Sequence, residues 1–261
     1  MKTAILLLLT IISLQSQAQQ RFQLGAYMPI DFPDKSIMPK MSVNGGLGVV
    51  GAYSPIYGSP FYIELKGSWG VYSSKTLQQT YAFANGSQTT TDVTYSSSMN
   101  KYLLGFKYMI GKDFRAVRGF ITPQIGVATF KSRIVISDPQ DIDDCQPLDR
   151  ETTQRFSGFV YGGEVGAEVS LDRIFTKIAS ENQHKIVLSA NFLGGFNHFK
   201  YVNVRYMEDA VQGTHVGHDG NSINASFINV STNEIHEHQV AELYHSALRM
   251  WGFNVGYTFN F

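Results

Sequence analysis

Trp251-Gly252-Phe253-Asn254-Val255-Gly256-Tyr257-Thr258-Phe259-Asn260-Phe261 closes the chain, and its alternation decides the fold. Trp251, Phe253, Val255, Tyr257, Phe259 and Phe261 form one uninterrupted apolar row. Gly252, Asn254, Gly256, Thr258 and Asn260 form a second row of small, mostly polar residues. Successive side chains of a β-strand point to opposite faces, so this is a strand with one wholly apolar side. A regular terminal strand with an open edge is also well suited to pairing with a template strand.

The same two-sided text recurs upstream. Phe61, Ile63, Leu65, Gly67, Trp69 and Val71 alternate with Tyr62, Glu64, Lys66, Ser68, Gly70 and Tyr72. In 159–171, Phe159, Tyr161, Val165, Ala167, Val169 and Leu171 oppose Gly162, Glu164, Gly166, Glu168 and Ser170. Each run matches the roughly 9–11 residues with which a tilted strand crosses a bilayer. The pattern predicts strands near 21–30, 43–54, 61–74, 98–110, 119–131, 156–171, 185–200 and 246–261, the first interrupted by Pro29. The connections 55–60, 111–118 and 172–184 are short or moderate, whereas 31–42, 75–97, 132–155 and 201–245 are longer. Eight strands with short turns at one rim and long loops at the other predict an all-β, transmembrane, antiparallel up-and-down β-barrel, with short periplasmic turns and long extracellular loops.

A soluble secreted barrel such as a lipocalin shares the alternation. Three features separate the two. The polar face is rich in Gly, Ser and Ala, as a narrow lumen requires. Aromatic residues recur near strand ends (Phe61, Tyr72, Tyr102, Tyr108, Phe159, Tyr257, Phe259), where interfacial girdles belong. The third feature is the last strand, which resembles the β-signal of outer-membrane proteins and so implies recognition by the barrel-assembly machinery.

The N-terminus reads as a secretory signal peptide over 1–18: Lys2, an apolar core from Ala4 to Ile12, and the small-x-small exit Ser16-Gln17-Ala18. The mature barrel is then expected over 19–261, ending at Phe261 with no further domain. With 24 Gly, 18 Phe, 14 Tyr and 16% charged residues, the composition fits one large all-β unit. Formal net charge is zero, which gives no electrostatic case for nucleic acid. The single cysteine, Cys145, excludes an internal disulfide. No stretch after the signal has the 18 continuous apolar residues of a membrane helix, so any crossing must be made by strands. In length, strand number and termini the mature chain is similar to the eight-stranded outer-membrane barrels related to the membrane domains of OmpA and OmpX. That resemblance implies a Gram-negative outer membrane and contact with its lipid and lipopolysaccharide; it carries no binding residues.

Chemistry-bearing residues are few. Glu64, Lys66, Lys107, Glu164, Glu168 and Arg249 are expected to line the lumen, where unpaired charge is costly, and to pair as a polar network. His215, His218, Asp219, His236, His238 and His245 gather in the longest connection without matching a metal-site spacing, and a solvated loop is expected. Asp138, Asp141, Asp143, Asp144, Asp149 and Glu151 surround Cys145 but lack the glycine and spacing of an EF-hand. Lipid A deacylases of barrel type use a His-x-Ser pair. Here His245 and Ser246 are adjacent and must face opposite sides, so no catalytic residue, metal or cofactor is assigned. The expected role is non-enzymatic: surface interaction or envelope structure through the long loops, with Tyr81, Phe83, Tyr95, Tyr206 and Phe227 as contact residues. The alternatives are an accessory subunit of an outer-membrane secretion, assembly or nutrient-uptake complex, with a protein partner, and a lipid A-modifying enzyme.

Overall fold

The computed structural model describes residues 21–37, 41–56, 58–82, 88–111, 116–136, 149–175, 183–203, 221–228 and 235–261. The predicted signal peptide lies outside them. The strands are β1 (Phe22–Pro33), β2 (Asn44–Tyr53), β3 (Phe61–Ala82), β4 (Gln88–Ile110), β5 (Val117–Ile136), β6 (Asp149–Ser170), β7 (His184–Asn203), β8 (Asn221–Ile228) and β9 (Ile235–Asn260), with one short helix α1 (Leu171–Ile174). Neighbours in sequence pair antiparallel from β1 to β7; β7 then pairs with β9, and β9 pairs with β1, closing an eight-stranded barrel. β8 is a ninth strand, attached to the outer part of β9 within what the alternation reads as a loop.

Closure runs through Pro29. β1 and β9 pair without a break from Gln23↔Asn260 to Pro33↔Met250, Pro29 facing Asn254. On the other edge, β1 and β2 skip Met28 and Pro29. Proline lacks a backbone N–H, and the gap in the ladder sits where that donor is missing.

Outward side chains form an apolar belt on all eight barrel strands. It runs over 61–71 on β3, 102–110 on β4, 117–127 on β5, 159–169 on β6 and 251–261 on β9, spans of nine to eleven residues. These match the roughly 9–11 residues of a tilted membrane strand. Phe159 (67% exposed), Leu47 (66%) and Leu65 (63%) stand clear of the wall. So much continuous apolar surface is stable only in lipid, which makes this a membrane-spanning barrel. Paired rings mark both rims: Trp69–Tyr102, Tyr161–Phe196 and Phe192–Trp251 at one, Phe22–Tyr53 and Phe61–Tyr108 at the other. Tyr72, expected in a girdle, instead faces inward and is buried, because it shares the even parity of Glu64, Lys66 and Ser68.

Beyond the belt the wall continues, because the long connections of one rim are themselves partly strand. β3, β4, β5, β6, β7 and β9 are 20 to 26 residues long, whereas β1 and β2 have 12 and 10. Much of 75–97, 132–155 and 201–245 is therefore strand. Strand preference depends on context more than on hydropathy, and β-branched Thr recurs through these segments, so the ladder continues where both faces need not be buried.

This extension, the crown, is two sheets. The β6–β7 ladder stops at Val160↔Gly195, and above it β3–β4–β5–β6 form one sheet while β7–β9–β8 form the other. Their inner faces enclose an apolar core that includes Tyr72, Met99, Phe130, Phe199, Tyr201 and Leu248. The low side, above β1 and β2, is filled by the β1–β2 connection. There Met41 N–H donates to the Ile37 carbonyl at 3.0 Å, and both side chains are buried in the same core. On the opposite side Phe199 fills the seam. A Cβ at Gly158 or Gly195 would come within 2.7 or 2.3 Å of its ring, so only glycine permits the ring to lie against both strands.

Candidate functional site

The lumen has two storeys. The lower one, inside the belt, is ionic. Glu168 on β6 accepts from Lys107 of β4 and, at 2.9 Å, from Lys185 of β7. Lys107 also stands 3.7 Å from Glu64 and 4.5 Å from the centre of the Phe120 ring. Glu64 is 3.1 Å from Lys66, which reaches Glu164. Glu164 further accepts from Gln124 at 2.8 Å, from Asn254 at 3.1 Å and from the Ser189 hydroxyl. Higher up, the Lys101 ammonium donates to both carboxylate oxygens of Asp31 at 2.7 and 2.6 Å, and Asn44 donates to Asp31 at 2.9 Å.

Four lysines thus meet four carboxylates, and every one of the eight charges has an opposite partner. Taking an ion out of water costs several kcal/mol, roughly, unless it is paired and hydrogen-bonded, and the multiple donors around Glu164 and Glu168 supply that compensation. Period-2 geometry is what brings them together: Glu64 and Lys66, or Glu164 and Glu168, lie on one face of one strand.

Five of the six expected lumen residues occupy this network: Glu64, Lys66, Lys107, Glu164 and Glu168. Arg249 does not. It shares the odd parity of Trp251, faces outward and is exposed. The network also holds Asp31, Lys101 and Lys185, which the alternation does not single out. Lys101 has the same parity as Lys107 and is legible on that ground; Asp31 falls in a predicted loop, and Lys185 stands at a strand start.

The upper storey is the crown core. Met99, Val160, Leu193 and Met250 lie above the ionic storey and are all buried. Tyr95, expected as an exposed contact, is buried here, and burial raises its hydroxyl pKa above the ordinary tyrosine value. Tyr201 is raised for the same reason, in part offset by its 2.9 Å hydrogen bond with the Ser246 hydroxyl. Ser246 is thereby turned to the crown core while His245 is exposed, so the two do not meet.

Other expected residues are only partly placed. His236 and His238 face Phe227 and Ala225 across β8–β9. Tyr81 lies on β3 and pairs with Thr89, and Asp149 and Glu151 begin β6. Phe83, Tyr206, His215, His218, Asp219 and the segment Asp138 to Asp144 with Cys145 fall outside the described residues. On the last strand Trp251, Phe253, Val255 and Tyr257 are exposed to the lipid side, and Phe259 and Phe261 are half-buried.

No family model and no curated protein matches the chain. Solved structures similar to it include a major outer-membrane protein of Thermus thermophilus (12% identity, TM-score 0.39, covering 92% of this chain and 98% of that one). Neisserial surface protein A is 8% identical with TM-score 0.35, covering 92% and 96%. The attachment invasion locus protein Ail of Yersinia pestis, in complex with the heparin analogue sucrose octasulfate, is 8% identical with TM-score 0.35, covering 92% and 97%. At this similarity nothing about ligands or activity passes to this chain, and the barrel stands on its own strand ladder.

Proposed function

We propose that this chain is a non-enzymatic outer-membrane barrel of a Gram-negative bacterium, exported by a signal peptide over 1–18, that presents its crown as a contact surface outside the cell. One observation carries the reading: six strands continue past the lipid belt into two sheets with an apolar core of their own. A structure needed only to seal a membrane would end at the belt. A rigid projecting scaffold is what surface recognition uses to present its loops.

An epitope inserted at 83–87, between β3 and β4, is expected to be labelled by antibody on intact cells. One inserted at 112–115, between β4 and β5, is expected to be labelled only after permeabilisation. The reverse pattern overturns the orientation, and unchanged cell or matrix attachment after trimming the crown overturns the role.

The accessory-subunit reading draws on a different observation. Above Val160 the β6 edge has no ladder partner on the β7 side among the described residues, and an open edge can accept another chain's strand. Purification in mild detergent separates the two: a stoichiometric partner supports the subunit, and a lone monomer removes it.

A further inference from the structure

On the lipid-facing wall, β2 to β7 border an open groove of about 900 Å³. Its floor is low because Gly51 and Gly67 stand where neighbours carry Leu65, Leu104 and Ile125, and Trp69, Tyr102, Phe159 and Phe196 rise around its upper end. Directly above, the register sets an ordered ladder of outward side chains. Tyr102, Val127 and Phe159 lie side by side on β4, β5 and β6. The next row is Asn100, Thr129 and Ser157, where the Thr129 and Ser157 hydroxyls are 2.9 Å apart. The row after that is Ser98, Lys131 and Arg155, and Arg133 stands on β5 beyond it, between Ser96 and Thr152.

Lys131 and Arg155 are a directly opposed cross-strand pair, whose Cβ atoms in such pairs lie about 4.5–5.5 Å apart, and like charges so placed repel. Among the described residues no carboxylate lies within ion-pair distance of Lys131, Arg133 or Arg155. The lumen, by contrast, pairs every charge of its ionic storey. These cations, unpaired among the described residues, stand with Lys131 and Arg155 one row above a hydroxyl row and two above an apolar groove, and with Arg133 one row further. They match an amphiphile of that order: acyl chains, a sugar or hydroxyl-bearing middle, and phosphate on top.

We infer that this wall carries a site for a phosphorylated, multiply acylated glycolipid of the surrounding leaflet, with its chains in the groove and a phosphate held by Lys131, Arg133 and Arg155. Guanidinium groups suit the phosphate because they offer paired donors in a plane. The rings at the groove's upper end mark the depth at which hydrocarbon gives way to headgroup. The proposed orientation decides only which leaflet supplies the lipid; binding by the purified chain does not depend on it.

The test is native mass spectrometry of the full purified chain in detergent. The probes are hexa-acylated lipid A bearing both phosphates, the same lipid A dephosphorylated, and phosphatidylglycerol. The bisphosphorylated form is expected to be retained roughly tenfold or more better than the other two. Lys131→Ser, Arg133→Ser and Arg155→Ser together remove that preference, while Gly51→Leu with Gly67→Leu weakens both lipid A forms alike. Heat-modifiable migration shows that each variant is folded. Equal retention of phosphatidylglycerol, or a preference that survives the triple substitution, overturns the site.

Discussion

The two storeys of the lumen are built from the same strands in opposite ways. In the lower storey eight charged groups are held by one another and by amide and hydroxyl donors. In the upper storey aromatic rings from two sheets meet edge to face, as in Phe130–Phe199 at 5.7 Å and Phe156–Phe199 at 5.5 Å. Around the lower storey the ladder is closed and the backbone cannot spread, so polar contents are tolerated provided each is satisfied. Around the upper storey the ladder is open at β6–β7, and the sheets stay together only through what lies between them. Apolar packing belongs where association must be driven, and paired charge where geometry is already imposed.

Perturbing one partner of the ionic storey should have the largest effect. Glu168→Ala strands Lys185, leaves Lys107 with Glu64 at 3.7 Å as its ion partner, and is expected to cost about 3–5 kcal/mol, the usual penalty for leaving a buried charge uncompensated. It should be read as a lowered denaturant midpoint for loss of the heat-modifiable band.

Phe199→Ala removes a ring from the seam and should cost a similar or slightly smaller amount, roughly 3–5 kcal/mol less any local collapse. Its location distinguishes it: protease should cut the crown while the belt fragment keeps its heat-modifiable migration. If both transitions fall together, the storeys are not independent.

Replacing a whole lumen pair, Lys66→Met with Glu164→Leu, leaves Glu64 paired with Lys107 and is expected to change stability by only about 1–2 kcal/mol in either direction, because the cost of desolvating two ions disappears with their attraction. A loss as large as that of Glu168→Ala would show that the pair is stabilising in itself. Arg249→Ala should be smallest, within about 0.5 kcal/mol, because its side chain is outward and exposed. A large effect there would return Arg249 to the lumen.

The belt is fully legible in the sequence, and the crown is not. From Trp251 to Tyr257, or Phe61 to Val71, one side faces hydrocarbon and the other a narrow interior, so hydropathy alternates strictly. Above Asn100 and Thr129 the outer side meets water and the inner side meets the crown core, and Ser and Thr occur on both: Ser97 and Ser132 are buried and hydrogen-bonded at 2.8 Å, while Thr76 and Thr94 are exposed and bonded at 2.9 Å. With residue type no longer tracking the face, the period disappears although the strand continues. Parity is reliable wherever the register holds, which is why Lys107 can be placed from sequence. Arg249 is the exception, expected inside against its own parity.

The gap in the β6–β7 ladder also has a mechanical consequence. Load applied to the tip of β3 or β6 is borne along its sheet by backbone hydrogen bonds in shear, with β5 and β6 paired from Val117↔Val169 to Ile136↔Asp149. Between the two sheets the Tyr72 hydroxyl donates to the Val202 carbonyl at 3.2 Å, assisted by ring contacts. Load on one sheet would peel the crown open along that line long before it disturbed the barrel wall below, where β6 and β7 stay paired from Val160↔Gly195 to Ser170↔Lys185, so the fold has a built-in tear line that stops at the belt.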